Sequence, residues 1–268
     1  MKLALFQFAP FFGNVPANLE RMAAAVCAHD ADLWVMPELA TTGYLFADRS
    51  ECSAMAEPAA GRSLAAFTAL CRRRSTRIVV GFAERDGERI YNAAAYVTPS
   101  GVASVYRKVH LFDRERDCFD PGPDPFRTEL LGEHRLGLMI CFDWLFPEAA
   151  RSLALLGADL VAHPANLVLP YCQAAMVTRA LENGVFCATA NRVGRECRAG
   201  TELSFTGGSQ IIDPRGNVLA RADAESETVV LADVDLAAAR DKSVTPRNDR
   251  LADRRPECYV RAGDGLRR

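Results

Sequence analysis

The sequence predicts an α/β fold with mixed sheets, on three observations. Short runs rich in β-branched and aromatic residues alternate with segments of helical period. Two of the runs are joined by a turn too short to hold a helix. The chain, 268 residues with 49% hydrophobic side chains, is long and apolar enough to bury a large core.

The strand-like runs fall at 3–8, 33–36, 78–82, 93–97, 136–141, 160–162, 186–190, 209–212 and 229–234. Helical period occupies 17–29, 63–75, 147–156, 173–183 and 236–241, and two of these segments open with a proline at or near the first turn. Runs 91–98 and 102–106 are separated only by Pro99-Ser100-Gly101, which suits a hairpin and therefore an antiparallel pair within the sheet. No repeat, low-complexity segment or Pro/Gly/Ser linker divides the chain, so residues 1–268 are expected to form one domain. Residues 245–268 are dense in charge and poor in apolar side chains, and are expected to form a C-terminal tail that is either frayed or docked on a second subunit.

A net charge of -2 and a pI near 6.1, with no basic run, give no footprint for nucleic acid or anionic lipid. No stretch approaches the roughly 20 apolar residues that cross a bilayer, and the N-terminal segment reads as a first strand rather than a targeting peptide. The partner is then a small molecule or another subunit. Nine cysteines, an odd number with no C-x-x-C pair, fit neither a disulfide framework nor a zinc site and point to a reducing cytoplasm; most read as small buried hydrophobes. Of 32 positive side chains only Lys2, Lys108 and Lys242 are lysine, so an internal lysine at 108 is conspicuous. Arginine supplies surface charge equally well but cannot replace a compact ammonium that must meet a developing oxyanion.

Three strand ends carry candidate chemistry. Cys141 closes a buried-strand pattern and precedes Phe142-Asp143-Trp144-Leu145-Phe146-Pro147-Glu148, where proline and glutamate start a helix, so it sits at a strand-to-helix elbow. A thiol titrating near 8.5 is only a few per cent thiolate at neutral pH and needs a base or a cationic neighbour. None of the four histidines sits in a motif that recommends a Cys-His dyad, although His110 and His163 stay open. Glu38 follows Pro37 at the end of the run 33–36, where a carboxylate withdrawn from water could act as general base. Lys108 lies at the end of a third run, ahead of a charged loop containing Glu115. Together they supply a nucleophile, a base and an electrophilic stabiliser without histidine.

Trp34-Val35-Met36-Pro37-Glu38, Tyr106-Arg107-Lys108-Val109-His110-Leu111-Phe112 and Gly137-Leu138-Met139-Ile140-Cys141-Phe142-Asp143-Trp144, in that order, resemble the glutamate, lysine and cysteine blocks of the nitrilase superfamily of carbon-nitrogen hydrolases. His163-Pro164-Ala165-Asn166, Arg179-Ala180-Leu181-Glu182-Asn183 and Phe205-Thr206-Gly207-Gly208-Ser209 extend the resemblance over nearly the whole chain. It implies a four-layer α-β-β-α sandwich, a homodimer or larger assembly, no metal or organic cofactor, and a second glutamate that maps onto Glu115. It also implies hydrolysis of an amide by a Cys141 thioester, with the Phe142 N–H assisting Lys108 at the oxyanion. Trp144, Asn166 and Tyr171 are expected to shape a small pocket. Nitriles and, further off, N-carbamoyl compounds are the alternative substrates. A thiol redox sensor in which Cys172 resolves an oxidised Cys141 is the reading from a different class.

Overall fold

The computed structural model describes residues 1–259. A first six-stranded sheet is built from β1 (Lys2–Gln7), β2 (Leu33–Val35), β3 (Arg77–Asp86), β4 (Arg89–Thr98), β5 (Gly101–Arg107) and β14 (Thr228–Asp233), in the order β14-β1-β2-β3-β4-β5. A second contains β6 (Thr128–Leu131), β7 (His134–Leu138), β8 (Leu160–Pro164), β9 (Phe186–Ala190), β12 (Gln210–Ile212) and β13 (Val218–Arg221), in the order β6-β7-β8-β9-β12-β13. Read in these directions, both sheets run antiparallel, parallel, parallel, antiparallel, antiparallel. The chain thus uses one sheet plan twice, and β8 stands where β2 stands in the other sheet.

The layering follows from strand alternation. Leu3, Leu5, Leu33, Val35 and Val79 share a core with Leu136, Leu138, Leu160 and Ala162 of the second sheet. The residues between them, Ala4, Phe6, Trp34, Ile78 and Val80, face the opposite way onto Met22 and Val26 of α1 (Val15–Ala28) and Leu64, Phe67 and Leu70 of α3 (Arg62–Arg74). On the far side of the second sheet lie α5 (Pro147–Leu155) and α6 (Cys172–Asn183), with Leu153, Met176 and Ala180 buried. The result is the expected α-β-β-α sandwich, with a core between the sheets and another under α1 and α3.

Differences from the sequence reading are local. The run 136–141 is strand only to Leu138, and Cys141–Leu145 coils into a short 3-10 helix; Leu236–Arg240 is 3-10 as well. The short helices α2 (Arg49–Met55) and α4 (Glu115–Cys118), strands β6 and β13, and the hairpin of β10 (Arg195–Arg198) and β11 (Thr201–Ser204) carry too little apolar period to be read in sequence. At the start of the 245–268 tail β15 (Ser243–Thr245) pairs with β16 (Asn248–Asp249), and a 3-10 turn follows at Pro256–Cys258; residues 260–268 lie outside the described residues. All nine cysteines are free, and among the described residues no helix is long and apolar enough to cross a membrane.

Candidate active site

Glu38 is brought between the sheets by the way β2 ends. After Val35 the Met36 N–H still bonds the Val79 carbonyl of β3 at 2.8 Å, and Pro37 has no N–H to continue the ladder. The turn lies directly over Gly81 of β3, where an added Cβ would come within 2.5 Å of the Glu38 Cα. Glu38 is fully buried. Its Oε1 accepts from Asn92 Nδ2 and from Lys108 Nζ, each at 2.7 Å, and its main-chain carbonyl accepts from Asn166 Nδ2 at 2.9 Å. Oε2 has no partner.

Lys108 follows β5 by one residue and is also fully buried. Its N–H bonds the Asn92 carbonyl at 2.9 Å and its carbonyl accepts from Gly122 at 2.8 Å, which fixes both sides of its backbone. Nζ donates to Glu38 Oε1 and to both oxygens of Glu115, at 2.7 and 2.8 Å. Burial alone would pull this ammonium down, but Glu115 and Glu38 outweigh it and hold it well above the ordinary lysine range. Glu115, in the first turn of α4, also accepts the Tyr44 hydroxyl at 2.7 Å and the Phe112 N–H at 3.1 Å. Burial raises its carboxyl to about 7, against the opposing pull of Lys108.

Cys141 stands at the elbow after β7 with φ +40, in the left-handed region that non-glycine residues seldom occupy. Asp143, fully buried, pins the bend: its Oδ2 accepts from the Ile140 N–H at 2.8 Å and the Tyr106 hydroxyl at 2.7 Å, and its Oδ1 meets His110 Nδ1 at 2.7 Å. The Cys141 carbonyl accepts from His163 Nε2 at 2.9 Å, while His163 Nδ1 faces the Thr189 hydroxyl. Burial lowers the His163 pKa, so this ring is neutral and committed to the backbone. Both histidines left open in the sequence are therefore committed to other partners, while Glu38 Oε2 has none. Burial pushes the Cys141 thiol well up, Glu38 adds to this, and Lys108 and the Asn166 N–H oppose it. At rest the group is a thiol, and it needs a proton acceptor to become a nucleophile.

Beside Cys141 lies a narrow cavity of about 20 Å³. Phe112, Phe142, Trp144 and Leu167–Leu169 line it, and its polar residues are Cys141 and Asn166. Phe142, Trp144 and Asn166 of the expected site residues thus border the Cys141 cavity. Tyr171 does not: it is 63% exposed ahead of α6 and is absent from the cavity wall. The buried stripe of α6 is Cys172, Met176 and Ala180, so the residue one position before that stripe turns outward. Cys172 is fully buried beside Cys187 and is not among the residues lining the Cys141 cavity. Asn92 and Tyr44 escaped the sequence reading. A lone polar residue inside the apolar run of β4 was the available signal for Asn92; Tyr44 had none.

Among the described residues no group of three His, Cys, Asp or Glu side chains is arranged to hold a metal ion. Residues 2–242 match the family model described as carbon-nitrogen hydrolase. The chain is 45% identical over 265 residues to a nitrilase of Pyrococcus abyssi, covering 97% of this chain and all of that one. It is 42% identical over 248 residues to an (R)-stereoselective amidase of Pseudomonas sp., covering 90% and 88%. A solved amidase from Nesterenkonia sp. in complex with butyramide superposes with a TM-score of 0.78 at 26% identity, covering 90% of this chain and 93% of that one.

Proposed function

Because the chain belongs to the carbon-nitrogen hydrolase family, we propose that it hydrolyses a small primary amide to a carboxylic acid and ammonia through a thioester on Cys141. The observation that carries this reading is the unpartnered Oε2 of buried Glu38, whose other oxygen is held by Lys108 and Asn92. A carboxylate fixed on one side with a free oxygen on the other is arranged to take a proton.

In this reading Glu38 takes the thiol proton as the Cys141 sulfur attacks the carbonyl carbon. The carbonyl electron pair moves to oxygen, where the Lys108 ammonium and the Phe142 N–H, near the start of the 3-10 helix, meet it. The oxyanion then collapses, the C–N bond breaks, and the proton on Glu38 passes to the departing nitrogen to give ammonia. Water, deprotonated by Glu38, adds to the thioester; the sulfur leaves with a proton and the acid is released. Glu115 serves the site by keeping Lys108 charged and in place. No step calls for a bound cofactor.

The narrow cavity with its apolar walls favours a short, uncharged acyl group, as does the butyramide complex of the Nesterenkonia relative. A nitrile is the second reading, favoured by the P. abyssi relative named nitrilase. The chain is also proposed to form a homodimer, since Leu145, Leu155 and Leu181 stand 45–48% exposed on the outer layer of α5, α6 and the turn before α5; a sedimenting monomer at micromolar concentration would remove that part. The activity itself is tested by ammonia release from short aliphatic amides, ω-amides, carbamoyl compounds and nitriles, with Cys141→Ala beside the wild type. Release abolished in the variant supports the reading, and release that persists overturns it.

A further inference from the structure

The side chains that hold Glu38 leave unsatisfied oxygens behind them. Asn92 and Asn166 both spend their Nδ2 on Glu38, one on the carboxylate and one on the carbonyl, and the Oδ1 of each is buried with no donor. Buried acceptors are seldom left unpaired, and such a group at a ligand site is a place for a donor that arrives with the ligand. Asn92 does not border the Cys141 cavity, whereas Asn166 does and is 2% exposed.

Asn166 also has its orientation decided. Turning its amide over would set Oδ1 against the Glu38 carbonyl, oxygen to oxygen, so Nδ2 stays on that carbonyl and Oδ1 is the free end. Asn166 also lines the same small cavity as Cys141. The residue therefore borders the cavity beside the nucleophile while its side chain holds the main chain of the base. A carbon bonded to the sulfur in that cavity has Asn166 in the surrounding wall.

We propose that Asn166 Oδ1 accepts an N–H of the scissile amide nitrogen and so selects primary amides over nitriles and esters of the same acyl group. An amide nitrogen brings hydrogens to this oxygen; a nitrile nitrogen and an ester oxygen bring none, and leave it unpaired. In the tetrahedral intermediate the same bond fixes the nitrogen so that its lone pair faces the proton held by Glu38, which passes to nitrogen as the C–N bond breaks. The inference rests on Cys141 and Glu38 acting as proposed above.

The test compares butyramide, butyronitrile and methyl butyrate on the wild type and on Asn166→Ala. The wild type is expected to turn over the amide at least about tenfold faster, by kcat/KM, than the nitrile, and faster turnover of the nitrile overturns the proposal. In the variant the amide-to-ester ratio of kcat/KM is expected to fall by at least about tenfold, whatever loss the two substrates share. A ratio unchanged within about twofold shows that Asn166 only holds the Glu38 backbone, since that role affects both substrates alike. The wild-type comparison decides the matter if Asn166→Ala does not fold. A wild type that cleaves none of the three compounds overturns the catalytic reading and this inference with it, whereas cleavage with an unmoved ratio overturns this inference alone.

Discussion

The Tyr44 hydroxyl donates to Oε1 of Glu115 at 2.7 Å, and a buried ion pair from the other half of the chain sets it there. Glu196 accepts the N–H of Tyr44 at 3.2 Å and that of Leu45 at 2.6 Å, and is itself paired with Arg192, which is 1% exposed. The Arg192 guanidinium lies 3.9 Å over the Phe205 ring, which packs T-shaped against Tyr44. The loop carrying Tyr44 is thus clamped from the β9–β10 corner, and the hydroxyl reaches Glu115 as a fixed donor. Burial, and next Glu115 itself, push the Tyr44 pKa well up, so it remains a donor throughout the working range.

Tyr44→Phe keeps the ring and removes that donor. Burial already raises Glu115 to about 7, and Tyr44 is among the groups pulling it back. Without the hydroxyl the carboxyl holds its proton to higher pH, so the acidic limb of the kcat/KM profile is expected to move upward. At neutral pH the loss is about tenfold, as for one hydrogen bond to a charged group of about 1.5 kcal/mol. Profiles for the two proteins measured from pH 5 to 9 decide it; superimposable limbs would show that Tyr44 has no hold on this ionisation.

Lys108→Met leaves two carboxylates buried against each other without their cation. Removing one partner of a buried pair costs about 3–5 kcal/mol, and the oxyanion loses its ammonium, so turnover falls at least about a hundredfold. The pH dependence has a definite sign. Lys108 is the largest influence lowering Glu115, so in the variant Glu115 titrates above its present value of about 7, while in the unfolded chain it titrates near the ordinary 4.5. Between those values the folded state binds more protons than the unfolded state, and stability falls as pH rises. In the wild type this slope ends near pH 7; in the variant it extends higher. Urea midpoints at pH 5, 7 and 9 measure it, and a midpoint that rises over this range would contradict the account.

What could be read in the sequence was the set of strand ends, because runs such as Leu33-Trp34-Val35-Met36 and Leu136-Gly137-Leu138-Met139-Ile140 announce burial by composition alone. Glu38, Lys108 and Cys141 each follow such a run, and the structure brings the three ends together between the sheets. The repeated sheet plan was invisible, since β2 and β8 share a place in the architecture but no residue pattern: Pro37-Glu38 follows one, Ala165-Asn166 the other. The polar partners were equally hidden. Asn92 meets Glu38 across 54 positions and Asn166 meets it across 128, contacts that only the folded sheets create. Tyr171 was misplaced for a related reason, because its exposure depends on the phase of α6, set by Cys172, Met176 and Ala180 rather than by its neighbours toward Asn166.

Gly81 is the clearest case of a residue whose importance lies in what it lacks. It sits in the middle of β3 with ordinary strand geometry, so an alanine there meets no backbone strain. An added Cβ would stand 2.5 Å from the Glu38 Cα, the Leu39 nitrogen and the Pro37 oxygen, all of them main-chain atoms that cannot swing aside as a side chain does. The turn must lift off the strand, and Glu38 moves with it. A shift of this size breaks the bonds at 2.7 Å from Asn92 and Lys108 before it breaks the sheet, whose ladder from β2 to β4 is held along many other residues. Gly81→Ala is therefore expected to lose at least about a hundredfold in kcat, as a misplacement near 1 Å does to a positioned catalytic group. The thermodynamic loss is about 1–3 kcal/mol, as for overpacking a core. Amide turnover and thermal unfolding on the same preparation separate the two effects. Kinetics near wild type in a folded variant would mean that the turn tolerates the methyl and that Glu38 is not held by its approach to β3.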